Sequence, residues 1–352
     1  MQSVAGATRA VNSEPQKALV RVESAAEVSW KTLLAEAVRS RAELFELLGL
    51  PADRLGGSDA EGGFPLLVPR GFVERMRPGD PQDPLLLQVL PQAAEREEVA
   101  GYVADPLAER EQLAAPAVVR KYAGRALLLA VSGCGVNCRY CFRRSFPYDE
   151  AGVSRAGLQR GLEAIAADSA IKEVILSGGD PLLLDDERLA ELLGRLEEIP
   201  HLSRLRIHSR MPVVLPERVT ERLVRLLAEC RLRGVVVIHA NHPAELTGGV
   251  PAAMRQLAAA GSLLFNQAVL LAGVNDSVEV LVGLSERLLE IGVVPYYLHM
   301  LDPVRGAAHF AVDERRARGL QAAVLARLPG YAVPRLVREL PGEPSKTWLA
   351  GP

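Results

Sequence analysis

The sequence has few cysteines and no long hydrophobic run. Four cysteines in 352 residues are too few for a disulfide framework, and three of them lie within eight residues of one another. No apolar stretch approaches the ~18 residues that a membrane-spanning helix needs. The first 23 residues lack the apolar segment of a secretory signal, and we expect a polar leader there. These features predict a cytoplasmic protein whose reduced, clustered thiols serve metal or redox chemistry.

An excess of either charge is also missing. The chain has 41 Lys and Arg against 43 Asp and Glu, which gives a net charge of −2. This balance provides no electrostatic reason to expect binding to nucleic acids or to membrane surfaces. The hydrophobic fraction of 49% is enough to build a sizeable core. We therefore expect a globular protein with a sizeable core.

The first third of the chain is helical in pattern. Apolar residues recur at helical spacing over residues 29–48, which predicts one or two amphipathic helices. Residues 71–91 predict a loop with a short helix. We assign residues 1–115 to the leader and an N-terminal helical region, residues 116–330 to the main domain, and residues 331–352 to a C-terminal segment.

Short β-branched runs alternate with helical patterns in the main domain. The runs begin at Ala126, Glu173, Leu205, Gly234, Leu263 and Val294. Such alternation predicts an α/β fold with a parallel sheet. Six units are too few for an eightfold barrel, and polar residues cluster where the strands end. We therefore predict a partial (β/α)6 TIM-like barrel with its site at the carboxyl ends of the strands, and a doubly wound sheet is the alternative.

Cys134, Cys138 and Cys141 follow the first predicted strand, in VSGCGVNCRYCFRR. Their C-x3-C-x2-C spacing differs from the C-x2-C pairs of zinc fingers. Three thiolates would leave one iron of a [4Fe–4S] cluster with an open coordination position. Cys230 could be the fourth ligand, but it shares a helix face with leucines, which favours a buried hydrophobic role. A zinc-stabilised binding module is the alternative to an open cluster.

This cysteine spacing after the first strand of a partial barrel resembles the radical S-adenosylmethionine (SAM) superfamily. In that superfamily SAM chelates the open iron, and an electron from the cluster cleaves SAM to a 5′-deoxyadenosyl radical. The segment ILSGGDP resembles the motif that binds the SAM amino group. The residues implied to contact SAM, through its amino group, adenine or nucleoside, are Gly178, Gly179, Asp180, Tyr140, His239 and Gln267.

Nearly the whole chain, from KYAGRALLL through NQAVLLAGVND and PYYLHMLD to PSKT, resembles the lysine 2,3-aminomutase family. The resemblance implies that Lys346, in the C-terminal segment, forms a Schiff base with pyridoxal 5′-phosphate (PLP). It also implies that Lys121 and Tyr122, with help from Arg210, bind the PLP phosphate. Arginine often stands in the family where this chain has Lys121. The implied cofactors are therefore a [4Fe–4S] cluster, SAM and PLP.

Three further residues are implied to bind the substrate. Arg143 matches the arginine that pairs with the substrate carboxylate, for which a planar guanidinium is well suited. Asp302 and Glu339 match the two acids that bind the distal ammonium group of lysine. Two carboxylates facing one cation select a basic amino acid. The resemblance therefore implies an isomerase that converts L-α-lysine into β-lysine and regenerates SAM.

Within the family, the chain most resembles the shorter bacterial enzymes of the elongation factor P β-lysylation pathway. This implies that a separate ligase uses the β-lysine to modify elongation factor P. A reductase or flavodoxin-type protein would supply electrons. The chain could form a homo-oligomer. Two enzyme alternatives remain open: an aminomutase for arginine or glutamate, and a SAM-consuming radical enzyme without PLP.

Overall fold

A computed structural model describes residues 29–51 and 63–349, so the predicted leader lies outside the described residues. Its centre is a ten-stranded sheet. The strands, in chain order, are β1 (Leu113–Ala115), β2 (Val118–Val119), β3 (Arg125–Val131), β4 (Glu173–Gly178), β5 (Arg204–Ser209), β6 (Arg233–Ile238), β7 (Leu263–Val269), β8 (Val294–His299), β9 (Arg335–Arg338) and β10 (Thr347–Trp348).

The order of the strands identifies the fold. Neighbouring strands in the sheet are also consecutive in the chain, and β3 to β9 pair in parallel. A doubly wound sheet would reverse its strand order at a switch point, which the described strands do not do. The six predicted strands are confirmed as β3 to β8. The architecture is the predicted α/β partial barrel, and the carboxyl ends of its parallel strands lie on one side.

Four strands, two at each edge of the sheet, were not predicted. Strand β9 joins β8 as a seventh parallel strand, and β10 pairs antiparallel with β9. These strands are four and two residues long, too short to give a distinct hydrophobic pattern. At the other edge, β1 and β2 extend the sheet from β3 through antiparallel pairs. The sheet therefore runs across both predicted domain boundaries.

Helices cover the barrel and form the N-terminal region. They are α1 (Trp30–Ala35), α2 (Arg41–Leu48), α3 (Arg70–Val73), α4 (Pro84–Leu87), α5 (Arg155–Ala167), α6 (Asp186–Glu197), α7 (Met211–Val214), α8 (Glu221–Glu229), α9 (Val250–Ala259), α10 (Val278–Glu290) and α11 (Glu314–Leu325). Ser154 accepts a hydrogen bond from the amide of Gly157 and starts α5. Over residues 29–51 and 63–349, none of the helices has the length and apolar character to cross a bilayer.

The N-terminal helical region packs directly against the barrel. Buried side chains of α2 and α4 belong to the same apolar core as those of β3 to β8. Backbone hydrogen bonds add to this packing, because the amide of Arg139 donates to the carbonyl of Gln88 at 2.8 Å and that of Asn137 to Leu67 at 3.0 Å. The region therefore covers the loop that follows β3, which carries the three clustered cysteines.

Candidate active site

A cavity of about 300 Å³ opens at the carboxyl ends of the parallel strands. All sixteen residues predicted for the site lie on its wall. They are Lys121, Tyr122, Cys134, Cys138, Tyr140, Cys141, Arg143, Gly178, Gly179, Asp180, Arg210, His239, Gln267, Asp302, Glu339 and Lys346. The structure thus brings together residues separated by more than two hundred positions, while the individual roles stay predictions.

The three cysteines lie in the loop after β3, are partly exposed and line the cavity. Burial raises the pKa of Cys141 to about 11, and the neighbouring Cys138 adds to the rise. Burial and then Cys141 likewise raise the pKa of Cys134. Because the negative charges of adjacent thiolates repel one another, a positively charged metal centre would stabilise all three.

The cysteine loop supplies three thiols, and thiolates are the donors that iron–sulfur clusters take. A structural zinc ion would require four donors around one centre, at about 2.3 Å for sulfur. In a [4Fe–4S] cluster each cysteine binds a different iron, so the thiols need only surround the cube. The three cysteines therefore fit the predicted cluster.

Cys230 lies away from this loop. It follows the last residue of α8 and precedes β6, which places it at the amino ends of the strands, opposite the cavity. Its side chain is partly buried against the main core. The position agrees with a packing role, although the residue is less buried than its leucine neighbours led us to expect.

Gly178 and Gly179 are required by the close approach of the cysteine loop. A Cβ atom on Gly178, whose φ is +114°, would lie 2.4 Å from the carbonyl oxygen of Val131. One on Gly179 would lie 1.9 Å from the carbonyl oxygen of Gly133. Backbone of β3 and of the cysteine loop fills the space that a side chain would need at these two positions. Both glycines also line the cavity, and their contact with SAM stays a prediction.

Asp180 has four protein donors. Its Oδ1 accepts from the hydroxyl of Ser209 at 2.7 Å and from the amide of Leu182 at 3.0 Å. Its Oδ2 accepts from the amides of Arg210 at 2.7 Å and Met211 at 3.1 Å. These bonds use the roughly four acceptor sites of a carboxylate. The geometry therefore does not support the predicted contact with the SAM ammonium group; Asp180 instead joins two loops at the cavity.

Arg143 is buried in a bidentate ion pair with Glu109. Its Nε and Nη2 donate to the two carboxylate oxygens at 2.6 and 2.8 Å. Its Nη1 donates to the hydroxyl of Ser177 at 2.9 Å and to the carbonyl of Gly178 at 3.2 Å. Burial alone would raise the pKa of Glu109, but Arg143 and then Lys121 outweigh it and lower that pKa to about 2. A carboxylate thus lies where the predicted substrate carboxylate would bind.

Lys346 and Glu339 face each other across the β9–β10 hairpin. The register pairs Thr347 with Arg338. Their neighbours on the side of the turn, Lys346 and Glu339, form an ion pair. The other oxygen of Glu339 accepts from Lys121 at 2.7 Å. Burial opposes the charge on Glu339, yet the two lysines hold its pKa well below the usual range. The predicted PLP lysine therefore lies beside an anionic partner as well as a second cation.

Lys121 connects the two ion pairs. Its Nζ lies 2.8 Å from Glu109 and 2.7 Å from Glu339. The charges therefore alternate from Arg143 through Glu109, Lys121 and Glu339 to Lys346. This row of buried and half-buried charges extends from the cysteine loop to the C-terminal hairpin.

The two acids predicted to bind an ammonium group have opposite pKa shifts. Burial, with a further contribution from Glu339, raises the pKa of Asp302 to about 7. Glu339 is held ionised by its lysines. The pKa values of two neighbouring carboxyl groups commonly move apart in this way, because ionising both in one apolar site costs free energy. A cation entering beside Asp302 would favour its ionised form.

His239 and Gln267 lie together on adjacent strand ends, with 2.9 Å between the Nε2 atoms. Burial, followed by Arg210 and Arg143, lowers the pKa of His239 to about 3, so its ring is neutral. Two further histidines, His208 and His299, line the same wall, and the Nε2 atom of each is buried with no hydrogen-bond partner among the described residues. The wall can therefore offer neutral hydrogen-bonding groups to a bound nucleoside or cofactor.

Tyr140 and Arg210 belong to a buried polar cluster behind the cysteines. The hydroxyl of Tyr140 accepts from the amide of Asn241 at 2.7 Å, and its ring packs edge-on against Phe310. Arg210 Nη1 donates to the sulfur of Cys138 at 2.7 Å. Its guanidinium therefore faces the cysteine loop, whereas Lys121 contacts Glu109 and Glu339. This geometry does not support the predicted help of Arg210 in phosphate binding.

Several residues that line the cavity or lie buried behind it were missed by the sequence analysis. Glu109 and Glu245 are fully buried, yet both stand in polar segments that look like surface turns. Arg125 also lines the cavity, where its guanidinium stacks 4.6 Å from the ring centre of Tyr122. For Glu245 a signal existed, because it closes a capping box with His242. For Glu109 no local pattern indicated burial.

Comparison with known proteins gives the following similarities. Residues 129–263 match the model of the Radical SAM superfamily. The chain is 46% identical over 337 residues to the L-lysine 2,3-aminomutase of Haemophilus influenzae, covering 96% of this chain and 98% of that protein. It is 46% identical over 333 residues to the L-lysine 2,3-aminomutase of Escherichia coli, covering 94% and 97%. A solved radical SAM methyltransferase from Kitasatospora setae aligns with a TM-score of 0.41 and 14% identity, over 60% of this chain and 53% of its own.

Proposed function

Because the chain belongs to the L-lysine 2,3-aminomutase family of radical SAM enzymes, we propose that it is an isomerase that converts L-α-lysine into β-lysine. The observation that carries this proposal is the shared cavity. The three cysteines and Lys346 line a single space at the carboxyl ends of the strands. A radical source and a covalently held cofactor could therefore act on one substrate.

The cysteine loop would hold the [4Fe–4S] cluster that membership of the superfamily implies. When bound, the cluster and SAM supply a carbon-centred radical, and PLP supplies the carbonyl group that holds the migrating nitrogen. The protein contributes position and the exclusion of water. His239 and Gln267 lie on the wall near the cysteines and are suited to the SAM nucleoside, and Tyr140 offers an aromatic face there.

Lys346 is the residue that we assign to PLP. It lies at the opposite end of the row of charges from the cysteine loop, and Lys121, Tyr122 and Arg125 line the cavity nearby. Two cations beside a tyrosine hydroxyl suit a phosphate group. We replace Arg210 by Arg125 in this role, since Arg210 is held against Cys138.

The charges of the cavity favour a basic amino acid as substrate. Arg143 offers a cation for the α-carboxylate, and Asp302 and Glu339 offer anions for a distal ammonium group. A glutamate side chain would meet these two acids and be repelled. Arginine remains the alternative substrate on charge alone. Binding of any such substrate would require Arg143 to share its donors between Glu109 and the new carboxylate.

We further propose that the enzyme works in the cytoplasm, where its thiols would stay reduced, and that a reductase or flavodoxin-type protein supplies electrons. The product would serve a ligase that modifies elongation factor P. Family membership argues against the alternative of a zinc-stabilised binding module.

The decisive experiment is anaerobic incubation of the reconstituted enzyme with SAM, a reductant, PLP and L-lysine, followed by chiral chromatography. We expect β-lysine, with little or no product from arginine or glutamate. Lys346→Ala should abolish turnover and remove the visible absorbance of covalently bound PLP, while Lys172→Ala, at an exposed position, serves as the matched control. Consumption of SAM without β-lysine, or full activity of Lys346→Ala, would overturn the proposal.

A further inference from the structure

Arg210 makes a direct contact with a cysteine of the loop. It follows β5 and immediately precedes α7, and its Nη1 lies 2.7 Å from the sulfur of Cys138. The side chain is 5% exposed, so the contact is shielded from water. A guanidinium in such a place is not a solvated surface charge.

The guanidinium is held in place from three sides. Its Nη2 donates to Gln88 Oε1 at 2.7 Å and to Glu245 Oε2 at 3.0 Å. Gln88 and Glu245 are fully buried and hydrogen-bonded to each other at 3.0 Å. The rings of Phe72 and Tyr140 lie against the guanidinium, each with its centre 5.6 Å away. The donor that faces Cys138 is therefore fixed before any cluster binds.

A fixed cation at a ligand sulfur has a defined effect on an iron–sulfur cluster. Hydrogen bonds to the sulfurs and nearby charge set the reduction potential. Reduction adds one negative charge to the cluster, and a buried cation stabilises that added charge. Loss of the Arg210 donor would consequently make reduction harder.

We propose that Arg210 is a positioning residue for the cluster, which raises its reduction potential by donating to the sulfur of Cys138, with Gln88 and Glu245 fixing the guanidinium. This inference rests on the cluster of the proposed function but not on lysine as substrate. It gives the N-terminal region, through Gln88, a part in the electron-accepting step.

The test measures the midpoint potential of the reconstituted cluster, without SAM or lysine, by electron paramagnetic resonance at controlled potentials. A hydrogen bond to a charged group contributes about 1.5 kcal/mol, which corresponds to roughly a tenfold change in an equilibrium constant. Arg210→Gln should therefore lower the ratio of reduced to oxidised cluster about tenfold at a fixed potential, or shift the midpoint by about 59 mV to more negative values.

Two more variants separate hydrogen bonding from charge and from folding. Arg210→Lys keeps the charge but loses the planar group, and should give a smaller shift in the same direction. Gln88→Leu leaves the net charge unchanged and removes an acceptor that orients Arg210; it should also give a smaller negative shift. Arg218→Gln is the matched control, because Arg218 is fully buried but donates to the carbonyls of Leu182 and Leu184. Its midpoint should equal that of the unchanged protein.

A midpoint that stays the same in Arg210→Gln, with iron and sulfide retained, would overturn the inference. If that variant loses its cluster, unchanged midpoints in both Arg210→Lys and Gln88→Leu would do so. Loss of PLP binding with an unchanged midpoint potential would overturn the inference and support a role of Arg210 in binding the PLP phosphate. A normal cluster in a protein that forms no β-lysine would refute the proposed reaction alone, whereas the absence of any iron–sulfur cluster would refute both.

Discussion

Glu109 and Arg143 form a buried bidentate ion pair, with N–O distances of 2.6 and 2.8 Å. Glu109 follows Ala108, whose φ of +48° lies in the left-handed region. That conformation costs a non-glycine residue about 1 kcal/mol or more. The ion pairs of Glu109 with Arg143 and Lys121 compensate for this strain, and they connect the N-terminal region to the cysteine loop.

Removal of the Glu109 charge should destabilise the protein. Glu109→Gln leaves Arg143 and Lys121 buried without their shared anion, and breaking a buried pair in this way lowers the free energy of unfolding by roughly 3 kcal/mol. The measurement is the urea midpoint at constant slope. Glu150→Gln, which breaks an exposed pair with Arg110, is the control and should change stability by less than about 1 kcal/mol. Equal midpoints for the two variants would contradict the structural role of Glu109.

Lysine turnover should depend on the ionisation of Asp302. Its carboxyl has a pKa raised to about 7, so it carries a proton below that pH and cannot pair with an ammonium group. Because kcat/KM reports on groups of the free enzyme, this constant for lysine should fall about tenfold per pH unit below about pH 7. Asp302→Asn should have a low kcat/KM and lack this limb of the profile, whereas Asp149→Asn, at an exposed position, should keep it. An unaltered profile in Asp302→Asn would assign the titration to another group.

A single methyl group at Gly179 should disturb the cluster loop. In Gly179→Ala the new Cβ would lie 1.9 Å from the carbonyl oxygen of Gly133, so the loop must move. We expect a large loss of iron and sulfide after reconstitution. Gly194→Ala is the control: this glycine is in α6 with no atom within 4 Å of a new Cβ, and alanine should add about 1 kcal/mol of helix stability. Full iron content in Gly179→Ala would refute the requirement for close contact between Gly179 and the backbone of Gly133.

Cys230 should be dispensable for iron binding. It directly follows α8 and precedes β6, at the amino ends of the strands. Cys230→Ala should therefore retain the iron and sulfide content of the unchanged protein, whereas Cys138→Ala should lose most of it. Iron analysis after anaerobic reconstitution distinguishes these outcomes. A matching loss in both variants would require Cys230 to move to the cluster.

Much of the barrel could be predicted because its signals are local. Buried parallel strands need runs of β-branched and apolar residues, and each helix needs a cap such as Ser154. These signals located β3 to β8 and the helices between them. Strands β9 and β10 carry too few residues for a pattern, and only their pairing with β8 and with each other makes them strands.

The site was predicted in part, and the missing part is tertiary. The spacing of the cysteines, and for Lys346 the resemblance of nearly the whole chain to a known family, pointed to residues that the structure places on one cavity. Glu109 has no such motif, since its burial depends on Arg143 and Lys121, which the fold alone brings to it. Arg210 was assigned to the phosphate by resemblance, and its contact with Cys138, 72 positions earlier in the chain, left no local signal. A motif locates a residue, but pairing partners at this separation decide what it contacts.

Backbone hydrogen bonds connect the cysteine loop both to the barrel and to the N-terminal region. On the barrel side the carbonyl of Gly133 accepts from the amide of Asp180, and on the N-terminal side the carbonyl of Gln88 accepts from the amide of Arg139. A fragment beginning at residue 116 would keep every cysteine and lose the hydrogen bond to Gln88. Since metal binding is coupled to the folding of its site, the iron content of this protein should record how completely two distant stretches of chain have assembled.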